Sequence, residues 1–205
     1  MSSGPNLGAV AKLYEDSLAK HGRSSKGVGW PDDSSHALRF SKLTSVINFA
    51  QGPVTINDLG CGYGAFSRHL SEAGVPVAHF RGYDISEQMV AHAREQFPDA
   101  EFIVGGQLDQ RADYGFACGI FNVRLEQDES DWLRYIERTL DNLNEFSKRG
   151  FAFNLLSTYV DFRRAPLFYG DPLYFFDRCK TRYGKRVALL HDYPLYEWTI
   201  TVGRE

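Results

Sequence analysis

The chain has 205 residues, of which 43% are hydrophobic and 24% are charged, a composition that suits one globular domain with a full apolar core. Its formal net charge of −3 supplies no overall positive field that would favour nucleic acid or an anionic membrane. The three cysteines, Cys61, Cys118 and Cys179, form no CxxC pair, which argues against a disulfide framework and against a cysteine zinc site. With no apolar signal segment and no apolar run of membrane-spanning length, we expect a soluble, cytoplasmic protein without a bound metal.

Two helices are predicted before the first strand. Apolar residues keep helical spacing over residues 7–18 and again over residues 35–50, where Ser34 is the expected N-cap. Between them, residues 21–35 are rich in glycine, serine and aspartate and carry Trp30, so they are predicted to form a loop.

The most informative stretch begins at a short predicted strand, Val54–Leu59, and continues into Gly60–Gly64, where glycines occupy alternate positions. Glycines there allow a tight turn and a close approach of a ligand to the backbone. A helical pattern follows, then a second strand, Ala78–Tyr83, which Asp84 ends about 20 residues after the loop. Strand, glycine loop, helix and second strand together predict a nucleotide-binding βαβ unit in which Asp84 could accept hydrogen bonds from a ribose diol.

Asp58 decides which cofactor class this loop favours. The glycine spacing over residues 60–65 also fits the dinucleotide fingerprint, but Asp58, two residues before the first glycine, would repel a pyrophosphate and attract an ammonium group. The stretch Asp58–Gly64, DLGCGYG, followed by Gly82–Ser86, GYDIS, resembles the first two motifs of class I S-adenosylmethionine (SAM)-dependent methyltransferases. The resemblance implies SAM as cofactor and S-adenosylhomocysteine as product.

The resemblance also implies the fold: a three-layer, Rossmann-like α/β sandwich around a seven-stranded, mostly parallel sheet whose last strand is antiparallel. It would form one domain, with a helical cap of two N-terminal helices over residues 1–50 and the core over residues 51–205. The loop around Trp30 and the turn after residue 190 further resemble a bacterial group of such enzymes, a likeness that supplies no substrate. Apolar runs predict the five further strands that this sheet requires, at Glu101–Val104, Tyr114–Ile120, Gly150–Leu156, Val187–Leu190 and Glu197–Val202.

The resemblance assigns cofactor contacts to the two motifs. The methionine end of SAM would lie on the first motif, the ribose on the carboxylate that ends the second strand, and the adenine on the apolar residue after it. The residues concerned are Asp58, Gly60, Cys61, Gly62, Asp84 and Ile85.

Three further residues are weaker candidates for the cofactor site. Arg39, on the second helix, could contact the SAM carboxylate or could be a solvated surface arginine. Gln107 stands about where the family often places an acidic residue that meets the adenine amino group. Asn122 follows the fourth strand and would either face the ligand crevice or cap a turn.

Several side chains compete for the role of a general base. His191 and Asp192 lie in the turn after the sixth strand, whose end should open on the ligand side, and His36 begins the second helix. Each histidine could equally be structural. Three tyrosines could line the pocket: Tyr14, Tyr159 and Tyr169. The arginine pair Arg163–Arg164 could meet an anionic substrate or could be an exposed loop pair.

The sequence therefore predicts an enzyme that transfers a methyl group from SAM to an oxygen or nitrogen atom of a small molecule. No nucleic-acid or membrane partner is expected, and the oligomeric state is not determined. The alternatives are an NAD(P)-dependent oxidoreductase and a protein that binds SAM without catalysis.

Overall fold

The computed structural model describes residues 5–22, 24, 27 and 32–204; Trp30, singled out in the first loop, lies outside them. At its centre is a seven-stranded sheet in the order β3-β2-β1-β4-β5-β7-β6. Only β7 runs antiparallel to its neighbours, so the predicted sheet is confirmed. The strands are β1 Val54–Leu59, β2 Val77–Asp84, β3 Glu101–Val104, β4 Ala112–Ala117, β5 Ser147–Leu156, β6 Arg186–Leu190 and β7 Glu197–Gly203.

Helices cover both faces of the sheet and make the three predicted layers. They are α1 Leu7–His21, α2 Asp33–Thr44, α3 Ala65–Glu72, α4 Glu87–Gln96, α5 Glu129–Phe146 and α6 Pro172–Arg182. Because side chains alternate along a strand, Phe151 and Phe153 of β5 pack in the core under α5 and α6, whereas Ala152 packs under α2, α3 and α4. Among the described helices, none has both the length and the apolar character needed to cross a membrane.

The second helix differs from the prediction at both ends. Its N-cap is Asp32, whose carboxylate accepts the capping hydrogen bond from the backbone, while the hydroxyl of Ser34 donates to that carboxylate at 2.6 Å. The helix ends at Thr44, and residues 49–51, predicted to continue it, form a separate short 3-10 helix, Phe49–Gln51, which the side chain of Asn48 caps.

The fourth strand also ends earlier than predicted, at Ala117. Gly119 has φ 73°, a left-handed conformation that turns the chain out of the sheet. Its backbone N–H donates to the side-chain Oδ1 of Asn154 on β5 at 2.7 Å instead of to a backbone carbonyl of that strand. As a result, Cys118–Ile120 form a loop at the carboxyl edge of the sheet, where ligands of this fold bind.

Candidate active site

A cavity opens at the carboxyl ends of β1, β2 and β4. Its empty volume is about 970 Å³, part of which is open to solvent. The walls come from the Gly60–Gly64 loop, the ends of β2 and β4, and helices α1, α2 and α5. A site at this edge is expected from the topology, because the strand order reverses between β1 and β4.

The glycine loop is held by the neighbouring strand. The backbone N–H groups of Gly60 and Cys61 both donate to the carbonyl oxygen of Tyr83, at 2.7 and 3.0 Å. Gly60 has φ 77°, and a Cβ placed on it would lie 2.0 Å from Cγ2 of Ile120. No larger residue therefore fits at Gly60 unless the Ile120 loop moves.

Asp84 holds the same loop from the other side. Its Oδ2 accepts from the N–H of Gly62 at 2.9 Å, and its Oδ1 accepts from the N–H of Ser86 at 2.9 Å. Burial raises the pKa of Asp84, while these two backbone donors act in the opposite direction. Each oxygen can accept a second hydrogen bond, so both remain able to receive the hydroxyls of a ribose.

Asp58 lies at the bottom of the cavity and is 2% exposed. No donor within the described part of the chain hydrogen-bonds its carboxylate. Burial, and after it the charge of Asp84, raise the pKa of Asp58 to about 8. A buried carboxylate that faces a cavity and accepts no hydrogen bond can bind a cationic group. Such a position favours an ammonium group over a pyrophosphate.

A glycine pair opens a slot beside Asp84. Gly105 and Gly106 line the cavity together with Ile85, and a Cβ placed on Gly106 would lie 3.2 Å from Cγ2 of Ile85. A flat ring can enter only because this side chain is absent. Gln107, the residue proposed for the adenine amino group, is exposed and is not part of the cavity wall.

The opposite side of the cavity is aromatic and carries one histidine. His36 is buried, and its ring lies 4.3 Å from that of Phe40. Burial, and after it the charge of Arg39, lower the pKa of His36 to about 4, so the imidazole is neutral at pH 7. Tyr14 and Tyr135 complete this wall, and burial raises the pKa of each to about 12.

Several wall residues were missed in the sequence, among them Cys118, Ile120 and Tyr135. Cys118 and Ile120 were assigned to the end of the predicted strand Tyr114–Ile120, and Tyr135 lies on a helix that the apolar periodicity explains without a ligand. The signal that could have found the first two was Gly119, because a glycine at the end of a buried strand often turns the chain outward. The sequence holds no comparable signal for Tyr135.

Two predicted cofactor residues have protein partners outside the cavity wall. The guanidinium of Arg39 makes a bidentate ion pair with Glu197, with distances of 2.8 and 2.7 Å. Oδ1 of Asn122 accepts from the backbone N–H of Leu156 at 3.0 Å, as a residue that caps a turn would. We therefore leave Arg39 and Asn122, together with Gln107, out of the cofactor site proposed below.

The other two base candidates, His191 and Asp192, lie on the protein surface just after the end of β6. Asp192 is 64% exposed and forms an ion pair with Lys42 at 2.8 Å, and the ring of His191 lies 5.9 Å from that of Tyr159. Neither belongs to the cavity wall. The arginine pair is also exposed: Arg163 lies over the ring of Tyr169 and Arg164 over the ring of Phe162.

Comparisons with known proteins agree with this geometry. Residues 56–144 match the family described as a methyltransferase domain. Rv1506c of Mycobacterium tuberculosis, a protein named as a methyltransferase, is 49% identical over 164 residues, which are 78% of this chain and 98% of that protein.

Solved structures show the same fold. Magnesium protoporphyrin IX methyltransferase from Synechocystis PCC 6803 with bound SAM has a TM-score of 0.70 over 100% of both chains, at 15% identity. The N-methyltransferase NodS from Bradyrhizobium japonicum WM9, in complex with S-adenosylhomocysteine, has a TM-score of 0.61 over 93% of this chain and 96% of that one, at 13% identity.

Proposed function

Because the chain belongs to the SAM-dependent methyltransferases of class I, we propose that it methylates an oxygen or nitrogen atom of a small, neutral acceptor molecule. SAM, when bound, supplies an electrophilic methyl group attached to a sulfonium, and the neutral thioether S-adenosylhomocysteine is the leaving group. What the protein has to add is alignment of the acceptor atom, exclusion of water and a route for the acceptor's proton.

The cofactor half of the cavity is proposed to use the glycine loop and two carboxylates. Asp58 would accept from the ammonium group, because it is buried in the cavity wall and no described residue donates to it. Asp84 would accept from the ribose hydroxyls, and Ile85 would pack on the adenine beside Gly105 and Gly106. The backbone of Gly60, Cys61 and Gly62 completes this half.

One observation carries the proposal for the acceptor: the part of the cavity wall formed by Tyr14, His36, Phe40 and Tyr135 is at least half-buried, aromatic and neutral. Tyr14 and Tyr135 keep their protons at pH 7, and Phe40 is apolar, so among the described residues this part of the wall offers no cation for an anionic acceptor. His36 is neutral and is proposed to accept the proton that a hydroxyl or amine loses, although its low pKa makes it a weaker base than an ordinary imidazole. Helices α1 and α2 close the cavity on the sides, which favours a small acceptor over nucleic acid.

Binding experiments with turnover test this function. A thermal-shift comparison of SAM, S-adenosylhomocysteine and NADH should show stabilisation by the first two only, since ligand that binds only the folded state raises the melting temperature. Fractions of a small-metabolite extract are then supplied with SAM carrying a labelled methyl group, and S-adenosylhomocysteine release is measured. The non-catalytic alternative would be favoured if the protein bound SAM but, with every fraction, released no more S-adenosylhomocysteine than the Asp84→Ala variant.

Replacing His36 with glutamine tests its role as the base. We expect kcat to fall by about 100-fold or more, because glutamine can hold a hydrogen bond but accepts no proton. The Kd for S-adenosylhomocysteine should stay within about threefold. In the wild type, the low pKa of His36 predicts that kcat stays flat on acidification until the pH approaches about 4, where the imidazole gains a proton.

His69→Gln is the matched control. The ring of His69 lies 5.4 Å from that of Phe40, next to His36, but His69 is not part of the cavity wall. Its kcat should equal that of the wild type. Equal losses in the two variants would mean that both histidines act through packing.

A further inference from the structure

A chain of buried polar groups connects helix α2 with the loop that follows β4. Arg39 and Glu197 are 4% and 2% exposed and form the bidentate ion pair described above. Oε2 of Glu197 also accepts from Nδ2 of Asn154 at 2.9 Å, and Oδ1 of Asn154 accepts from the N–H of Gly119 at 2.7 Å. Four elements, α2, β7, β5 and the loop after β4, are thus joined by consecutive hydrogen bonds.

Both ends of this chain lie at or next to the cavity wall. Gly119 and its neighbours Cys118 and Ile120 are part of the cavity wall. At the other end, Arg39 follows His36 by three residues on α2, so the two side chains share one side of the helix. The polar chain therefore sets the spacing between the backbone at Gly119 and the imidazole of His36.

Stability alone does not account for these residues. A buried ion pair loses hydration on both partners, and well-packed apolar residues of similar volume are often as stable or more stable. The side chain of Asn154 is likewise fully buried, between β4 and β7. Burying an amide costs free energy, so we expect its hydrogen bonds to hold the backbone at Gly119 in a defined position.

We propose that Asn154, Glu197 and Arg39 are positioning residues, which hold the Cys118–Ile120 loop against α2 and so shape the wall that receives the methyl acceptor. The inference rests on the proposed function for its account of the acceptor side. The hydrogen bonds shown for the three residues involve neither Asp58 nor Asp84, and Asn154 and Glu197 lie on strands beyond β4, on the side of the sheet away from β2. They should therefore affect turnover and the mobility of the loop more than the affinity for the cofactor.

Glu197→Gln gives the sharpest test. Glu197 does not touch Gly119, so an effect on the Gly119 amide has to pass through Asn154. Both carboxylate oxygens accept from Arg39, so the amide nitrogen of glutamine would face a donor of Arg39 in either orientation. We expect hydrogen exchange at the Gly119 amide to accelerate by at least about tenfold, and more in Asn154→Leu, which removes its acceptor outright. The Kd for S-adenosylhomocysteine should stay within about threefold in both variants.

Thr199→Val is the matched control on the same strand. Thr199 is fully buried, lies directly opposite Asn154 in the β5–β7 register, and its hydroxyl shares a hydrogen bond of 2.9 Å with that of Tyr193. The variant therefore loses a buried polar contact of β7 beside the polar chain while every hydrogen bond of the chain to Gly119 keeps its donor and acceptor. It should lower the melting temperature while exchange at Gly119 stays at the wild-type rate. With any acceptor fraction found in the turnover screen, Glu197→Gln should lower kcat at least about tenfold with the KM for SAM within about threefold.

The outcomes separate this inference from the proposed function. Exchange and S-adenosylhomocysteine binding require no acceptor, so a failed acceptor screen would count against the proposed function and leave both readouts decisive here. Wild-type exchange at Gly119 in Glu197→Gln would overturn the positioning role. A loss of S-adenosylhomocysteine affinity in Asn154→Leu as large as that in Asp84→Ala would also overturn it, since the loop would then serve the cofactor.

Discussion

Replacing Asp84 with alanine is expected to weaken binding of SAM and S-adenosylhomocysteine by more than about 100-fold. Two charge-assisted hydrogen bonds to the ribose are lost, each worth roughly 1.5–3 kcal/mol. The backbone N–H groups of Gly62 and Ser86 also lose their acceptor, so the glycine loop is no longer held in the shape that receives the cofactor. Titration calorimetry with S-adenosylhomocysteine measures the change directly.

Asp113→Ala is the control for Asp84→Ala. Asp113 is another half-buried carboxylate of the sheet that accepts from a backbone N–H, that of Thr55 at 2.8 Å, but it lies at the opposite edge. Its loss should lower stability to a comparable degree and leave the Kd for S-adenosylhomocysteine unchanged. If Asp84→Ala binds within about threefold of the wild type, the ribose is not held at this carboxylate.

Replacing Asp58 with asparagine is expected to stabilise the ligand-free protein and at the same time weaken SAM binding. The carboxylate is buried without a donor from the described residues, so its charge opposes folding on the order of 1–3 kcal/mol. The same charge attracts the ammonium of SAM, and its removal should weaken binding by about 10- to 150-fold, equivalent to roughly 1.5–3 kcal/mol. Denaturant unfolding and calorimetry measure the two effects separately.

The pH dependence identifies the cause of the Asp58 effects. The pKa of about 8 in the folded state lies above the ordinary value of 3.8, so the folded state holds the proton more tightly. This group's contribution to stability is therefore greatest below about pH 4, falls as the pH rises to about 8 and is constant above that. The gain in Asp58→Asn should accordingly be smaller at pH 5 than at pH 8.

Cofactor affinity should show the reverse trend. A bound ammonium favours the ionised carboxylate and lowers the pKa of Asp58, so affinity of the wild type for SAM should rise towards pH 8 and then level off. The Asp58→Asn variant should lack this rise. A variant that is less stable than the wild type at pH 8 would show that the carboxylate stabilises the fold, contrary to this account.

The cofactor half of the site was readable from the sequence because it is local. The loop at Gly60–Gly64 and the carboxylate of Asp84 belong to one βαβ unit, in which spacing along the chain fixes which groups meet at the carboxyl edge of neighbouring parallel strands. The seven-stranded sheet was implied by the family resemblance, and the apolar runs marked where its strands lie along the chain, since each buried strand needs its own run. Sequence reasoning missed that Asp84 also holds the loop backbone, and it offered Arg39, Gln107 and Asn122, which do not belong to the cavity wall.

The acceptor half was decided by tertiary packing alone. His36 meets Cys118 and Tyr135 across one cavity, and Arg39 meets Glu197 although 158 positions separate them. Such contacts depend on how α1 and α2 dock on the sheet, and the docking depends on many weak apolar contacts together with single bonds such as that between Glu15 and Ser86, at 2.7 Å. By itself the sequence predicted the fold and a place for the cofactor, because both depend on two motifs within one local unit of strand, loop, helix and strand. Which histidine faces the cavity, and which arginine is engaged with a carboxylate, was decided only when residues far apart in the chain were packed together.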